Sequence, residues 1–113
     1  MVLYIDTLDG EAKIWLDDEP HTRELGRKMS DELMGFVMDL LDDEVPEGIV
    51  VHKDKGSFTG ARLGAALANT LAEIYAVPIV AASDDDGEND WRDNGRDRLD
   101  NGEDDKIIEP EYE

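Results

Sequence analysis

The sequence of 113 residues contains no cysteine. Without thiols the chain can form neither a disulfide scaffold nor a zinc knuckle, and it offers no thiol nucleophile. Long hydrophobic runs are also missing, and no charged segment precedes an apolar run near residue 1, so the sequence indicates neither export nor membrane insertion. We therefore expect a cytoplasmic protein.

Cationic side chains are scarce. Lysine and arginine number 11 against 30 aspartates and glutamates, which gives a net charge of −19. Because nucleic-acid binding needs cations to neutralise phosphates, this balance argues against direct contact with nucleic acid. The charge is also uneven, since residues 84–113 carry 14 acidic and 4 basic side chains, a net of −10. More than half of the net charge therefore lies in the C-terminal segment.

The apolar residues before residue 83 follow strand and helix patterns. Residues 2–6 and 11–16 have strand patterns joined by an Asp-Gly turn, which predicts a β-hairpin. Apolar residues at three- and four-residue steps predict an amphipathic helix over 22–41. Strands are predicted at 49–52 and 77–82, with a second helix at about 58–76. The order β-β-α-β-α-β predicts an α/β domain whose mixed sheet combines parallel strands with the antiparallel hairpin.

The last 30 residues have a different pattern. Residues 84–105 are rich in turn residues and charges and have almost no apolar periodicity, which favours a solvated tail. KIIEPEY at 106–112 is either a short edge strand or a partner-binding segment. The sequence thus predicts two parts, a folded domain at 1–83 and an acidic tail at 84–113 that is flexible or binds a partner.

The stretch GSFTGARLG at residues 56–64 opens the second helix and has two interpretations. Lys55, Gly56 and a helix N-terminus could cradle a phosphate, although the spacing matches neither a Walker loop nor a dinucleotide fingerprint. Small residues spaced by four instead form one smooth helix stripe, which packs either on the domain's own sheet or on another protein. That stripe consists of Gly60, Gly64, Ala68 and Ala72.

The first helix has more apolar side chains than one core contact requires. Its methionines, Met34 and Met38, suit an adaptable contact surface, with burial at the margin of the domain's core as the alternative. Together with the small-residue stripe, this helix predicts a helical interface. Its candidate residues are Leu33, Met34, Val37, Met38, Leu41, Gly60, Gly64, Ala68 and Ala72.

A few polar side chains are candidates for ligand binding. Asp6 and Thr7 end the first strand, and with Gly56 and Ser57 they are the candidate anion-binding residues. As alternatives, Asp6 is a turn or cap residue and Ser57 caps the second helix. We predict no catalytic residue, no metal and no cofactor.

A metal site is the alternative to this prediction. His52 and Asp54 are two residues apart and could reach a common ion, with His21 as a third ligand; Asp6 completes the set of residues in this alternative. Nothing in the sequence fixes the convergence of these side chains, since His52 also simply ends its strand.

Three of these motifs resemble, in the same order, those of the TsaB (YeaZ) proteins. They are Ile5-Asp6-Thr7 at the end of the first strand, His21, Thr22 and Leu25 at the start of the first helix, and GSFTGARLG. The resemblance covers residues 1–83. The sequence departs from the family in three places. At residues 54–56, Asp-Lys-Gly replaces Gly-Pro-Gly. The hairpin region looks one strand short, and an acidic tail stands in place of the second lobe.

The resemblance implies a small actin/hexokinase-like (ribonuclease-H-like) lobe whose two main helices form a dimer interface. TsaB proteins are non-catalytic partners of the actin-like, metal-binding TsaD enzyme that installs the threonylcarbamoyl group on adenosine 37 of certain tRNAs. The expected partner is a second copy or a TsaD-like protein, with no direct nucleic-acid contact. The alternatives are a small metal- or nucleotide-binding enzyme and an interaction module acting through its acidic tail.

Overall fold

A computed structural model describes residues 1–8, 11–24, 29–53, 58–84 and 90–108, with only the backbone of 29–31 and 58–61. Five strands and three helices lie in these ranges. The strands are β1 (Val2–Asp6), β2 (Glu11–Leu16), β3 (Glu19–Glu24), β4 (Gly48–His52) and β5 (Ile79–Ala82). The helices are α1 (Met29–Leu41), α2 (Phe58–Tyr75) and α3 (Trp91–Asp100).

The strands form one mixed sheet in the order β3-β2-β1-β4-β5. β1 pairs antiparallel with β2, and β4 lies parallel to both β1 and β5. The crossovers through α1 and α2 are what allow parallel neighbours, since a short turn cannot reverse the chain twice. The predicted α/β fold, with its hairpin, mixed sheet and two main helices, is confirmed.

The third strand corrects the prediction at the start of the first helix. His21 and Thr22 do not begin a helix; they lie on β3 opposite Ile14 and Lys13 of β2. The hairpin region is therefore not one strand short. β3 gives no apolar alternation because it is an edge strand whose residues are exposed, except for a half-buried His21, so its conformation is set by pairing with β2.

Helices cover both faces of the sheet because side chains alternate along each strand. Leu3, Ile5, Ile49 and Val51 belong to the core shared with α1 and α2. On the opposite face, Val2, Tyr4, Val50, Val80 and Ala82 pack with Trp91 of α3. The domain thus has three layers, with two separate apolar clusters divided by the sheet.

The prediction of a solvated tail is wrong for residues 91–100, which form α3, whereas residues 101–107 are exposed. α3 lies against β4 and β5, and Asp90 caps its N-terminus by accepting hydrogen bonds from the N–H groups of Arg92 and Asp93. Beyond the helix, Ile108 is buried in the α1–α2 cluster. The pattern was missed because only Trp91, Asn94 and Gly95 of this helix are buried.

Candidate functional site

The parallel strands end at one edge of the sheet, where several polar side chains meet. β1 ends at Asp6, β4 ends at His52, and Asp84 follows β5 by two residues. Ligand sites of α/β sheets lie at the carboxyl ends of parallel strands, in the crevice that the following loops form. This edge is therefore the candidate functional site, and it brings together Asp6 and His52 from the sequence-predicted set.

Asp6 is a buried carboxylate held by two neighbours. Its Oδ1 accepts a hydrogen bond of 3.0 Å from the Leu8 N–H, and its Oδ2 lies 3.3 Å from Nδ1 of His52. Burial raises the pKa of Asp6, but contact with His52, the Leu8 N–H and the charge of Lys13 together outweigh it, so the pKa lies below its ordinary value. Asp6 accordingly carries its negative charge at neutral pH.

His52 is enclosed between two carboxylates and one aromatic ring. Its imidazole stacks on Trp91 with centroids 4.6 Å apart and planes inclined by 9°, while Nε2 lies 3.9 Å from Asp84 Oδ2. Neither ring nitrogen has an aligned hydrogen-bond partner in the described structure. The ring links β4 to α3 and to both carboxylates.

Thr7 forms the other side of this edge and supports α2. Its side chain is buried, and a Cβ placed on Gly64 would come within 2.5 Å of Thr7 Oγ1. Gly64 is therefore required for close approach of α2 to the end of β1. Of the two interpretations of the small-residue stripe, packing within the domain applies to Gly64.

The charge of the edge bears on the predicted anion site. Asp6 and Asp84 lie beside the two nitrogens of the His52 imidazole, and negative carboxylates at this edge oppose a bound phosphate. Gly56 and Ser57, the other two candidate anion-binding residues, lie outside the described residues. Anion binding at Asp6 and Thr7 stays a prediction, with the local charge against it.

The alternative metal site is only partly assembled. Asp6 and His52 are adjacent, but His21 lies on the far edge strand, with its Nε2 3.0 Å from Glu19 Oε1. Asp54 falls outside the described residues. Among the residues that the structure describes, no three or more His, Asp or Glu side chains are placed to hold a metal ion.

The candidate interface residues divide into buried and accessible sets. Five of them belong to the domain's own core and have little surface for a partner: Leu33, Val37, Leu41, Ala68 and Ala72. Their burial leaves these five little surface for an intermolecular contact, and the predicted interface stays a prediction. Met34 is half-buried and Met38 is 39% exposed, whereas the surroundings of Gly60 are not described.

A shallow groove remains between the accessible parts of α1 and α2. Its volume is about 130 Å³. Ala66 and Thr70 line it from exposed positions on α2. Met38 is one turn beyond Met34 on α1, and its sulfur lies 3.3 Å from the Tyr75 hydroxyl. Among the side chains that the structure describes, none that lines the groove is charged; the lining consists of Leu33, Met34, Leu63, Ala66, Leu67 and Thr70.

Two site residues were missed from the sequence. Asp84 belongs to no recognisable sequence motif. Its Oδ1 nevertheless accepts a 2.8 Å hydrogen bond from the Trp91 N–H. Trp91 is a lone aromatic among charged residues, and the aspartate before it is the helix-capping signal that marks α3. Treating Asp90 as a cap would have placed Trp91 in the first helical turn.

No helix among the described residues is long and apolar enough to cross a membrane. No protein-family model and no curated protein matches the sequence. Solved structures do match, among them YeaZ from Pseudomonas aeruginosa, with a TM-score of 0.59, and an uncharacterized protein with similarity to peptidase YEAZ from Pseudomonas aeruginosa, with a TM-score of 0.60.

Each of these matches has 24% sequence identity and covers 73% of this chain. The chain in turn spans under half of each structure, 43% and 42% respectively. The likeness is therefore one of fold. It confirms that this α/β domain is similar to part of the YeaZ structures, as the resemblance predicted.

Proposed function

We propose that the protein is a TsaB-like, non-catalytic partner subunit that supports threonylcarbamoyladenosine modification of tRNA. It binds a TsaD-type enzyme through the α1–α2 groove defined above. The observation that carries the proposal is the fold shared with YeaZ over 73% of the chain. The role in tRNA modification rests on that resemblance.

The groove supports a protein partner because the side chains described in its lining are uncharged. The chain has a net charge of −19, so most of its surface resists close contact with other macromolecules of the same sign. A partly apolar patch between two helices can exclude water without burying unpaired charge, as protein interfaces require. Met34 and Met38 at its margin are adaptable side chains that suit such a contact.

Binding of tRNA in this proposal belongs to the partner. Neutralising phosphates requires lysine and arginine, and this chain has 11 such residues against 30 acidic ones. The field of the chain repels the tRNA backbone. The proposed contribution is therefore to the enzyme's assembly, with no direct contact to the substrate.

Mixing the chain with the TsaD-type enzyme of the same organism tests the proposal. We expect a complex by size-exclusion chromatography with light scattering, and its loss in Ala66→Arg. Ala66 lines the groove from an exposed position, so an arginine there fills the groove and places a charge in it without entering the core.

Asn101→Arg is the matched control. Asn101 is exposed at the end of α3, on the opposite face of the sheet, and the substitution adds the same charge. It should leave the complex intact. No complex with the wild-type chain would contradict the proposed function, whereas a complex that tolerates Ala66→Arg as well as Asn101→Arg would contradict the groove as its site.

A further inference from the structure

The outer edge of β5 presents backbone groups that no strand pairs. β5 is the last strand of the sheet. On its inner side, the carbonyl of Pro78, just before β5, accepts from the Ile49 N–H of β4, and the Ala82 carbonyl accepts from the Lys53 N–H. The N–H and C=O groups of Ile79 and Ala81 point the other way. An edge of this kind is a template for adding another strand.

All four of these outward groups are bonded by the segment at residues 98–105. The Ile79 N–H donates to Asp104 Oδ1 at 3.2 Å, and the Ile79 carbonyl accepts from the Asp105 N–H at 2.7 Å. The Ala81 N–H donates to Asp105 Oδ2 at 2.9 Å, and the Ala81 carbonyl accepts from Arg98 Nη1 at 2.6 Å. Side chains thus supply three of the four bonds that a neighbouring strand would make.

Arg98 fixes this segment to the rest of the domain. Its Nη1 also donates to Asp105 at 3.0 Å, and its Nε donates to Glu103 at 3.1 Å. Burial raises the pKa of Asp105, but Arg98 and the Ala81 N–H more than offset it and hold the pKa below its ordinary value. The lowered pKa keeps Asp105 ionised at neutral pH, and this charge strengthens the bond from the Ala81 N–H.

The two edges of the sheet differ in how they are protected. The β3 edge contains Pro20 and the charged residues Glu19, Arg23 and Glu24, which by themselves hinder strand addition. β5 has the sequence IVAA, without charge or proline. Its own residues offer no such protection, so the protection comes from residues 98–105.

We propose that residues 98–105 are an edge cap that prevents β5 from pairing with β5 of a second copy of this chain. Without the cap, two copies join antiparallel through the outward groups of Ile79 and Ala81 and extend the sheet across a two-fold axis. This inference is independent of the proposed function, since it concerns the edge and not the α1–α2 groove.

The double variant Asp104→Ala/Asp105→Ala tests the cap, because it removes the acceptors of both outward N–H groups. We expect the mass by light scattering to rise toward twice that of the wild type as the protein concentration increases. Adding Ala81→Pro should abolish this association, since proline removes an outward N–H that strand pairing needs and no bond to β4.

Asp39→Ala/Asp97→Ala controls for charge, as it removes two exposed helical carboxylates, neither of which accepts a hydrogen bond from the outward groups of β5. It should keep the wild-type mass. The proposal is overturned if the folded Asp104/Asp105 variant also keeps the wild-type mass, or if the control associates equally. If the variant does not fold, amide hydrogen exchange of the wild type is the deciding measurement. The amides of Ile79 and Ala81 should be protected from exchange. Exchange at the rate of unpaired amides would overturn the proposed cap.

Discussion

The two faces of the sheet are covered by helices of opposite composition. α2 buries a continuous stripe that includes Leu67, Ala68 and Leu71. α3 has the sequence WRDNGRDRLD, and its buried residues are one tryptophan, one asparagine and one glycine. A helix therefore does not need an apolar stripe to form a layer of a domain; one large aromatic, the partly buried Leu99 and one close backbone approach are sufficient here.

Trp91 replaces the stripe by contacting several side chains at once. Its ring lies edge-on to Tyr4 and Trp15, with centroids 6.2 Å and 5.6 Å away, and stacks on His52. The neighbouring Asn94 donates a 2.9 Å hydrogen bond to the Ser83 carbonyl, so the one buried polar side chain of α3 is satisfied. The layer thus depends on few residues, each with a specific contact.

Truncating the main contact of each face gives the largest expected effect. Trp91→Ala should lower the free energy of unfolding by about 3–5 kcal/mol and Leu71→Ala by about 2–5 kcal/mol, because each leaves a cavity in a buried cluster. Urea unfolding monitored by circular dichroism measures both. If Trp91→Ala costs below about 1 kcal/mol, α3 is a loosely attached layer and the comparison fails.

The same contrast explains what could be predicted from the sequence. α2 and the buried strands follow from apolar periodicity, since Leu67 and Leu71 or Ile49 and Val51 repeat at the spacing of their element. β3 and α3 have no such repeat. β3 is held by pairing with β2, and α3 is held by the contacts of Trp91. Tertiary contacts therefore determine the conformation of both elements, whose sequences have no apolar periodicity.

The candidate site was predictable only in part. Asp6 and His52 could be identified because both end apolar strands, and parallel pairing brings such ends together. Their neighbours Asp84 and Trp91 could not, since they come from the segment predicted as a solvated tail. His21 was misplaced for the related reason that an exposed edge strand gives no apolar signal.

Glycine-to-alanine variants test how closely the backbones of α2 and α3 approach the two faces of the sheet. A Cβ on Gly95 would meet Val50 Cγ1 at 2.2 Å and one on Gly64 would meet Thr7 Oγ1 at 2.5 Å. Overpacking typically costs about 1–3 kcal/mol, which exceeds the gain of roughly 1 kcal/mol from alanine's helix propensity. Both variants should therefore lower the melting temperature.

Gly35→Ala is the control for helix propensity. Gly35 is an exposed residue of α1, and nothing lies within 4 Å of an added Cβ. The variant should therefore have a free energy of unfolding up to about 1 kcal/mol higher than that of the wild type. Equal stabilisation of Gly35→Ala and Gly95→Ala would show that α3 does not approach the sheet closely.

Salt should stabilise the protein, with a smaller effect than these substitutions. The net charge of −19 disfavours the compact state through self-repulsion. Raising the salt from about 0.1 M to 1 M shortens the screening length from about 10 Å to 3 Å, which weakens this repulsion more than it weakens pairs such as Arg98 with Asp105. Thermal unfolding should show a higher melting temperature in 1 M KCl, and a lower one would contradict the dominance of repulsion.

Acid should act mainly on the α3 side, and this is the smallest expected effect. Asp6, Asp90 and Asp105 all have pKa values below their ordinary range, and each lies on the α3 face or in the segment around it. A carboxyl group with a lowered folded pKa stabilises the fold above its unfolded pKa of about 4 and loses that contribution as pH falls through the folded value.

Asp6→Asn tests this, because the amide oxygen can still accept from the Leu8 N–H while the charge beside His52 is lost. The variant should be less stable than the wild type at about pH 5, and the difference should shrink toward about pH 2.5 as Asp6 of the wild type is protonated. Urea unfolding at both pH values measures this, with Asp39→Asn on α1 reporting the loss of one exposed charge. A difference that stays constant or grows in acid would show that the ionised Asp6 does not help to hold the edge of the sheet against α3.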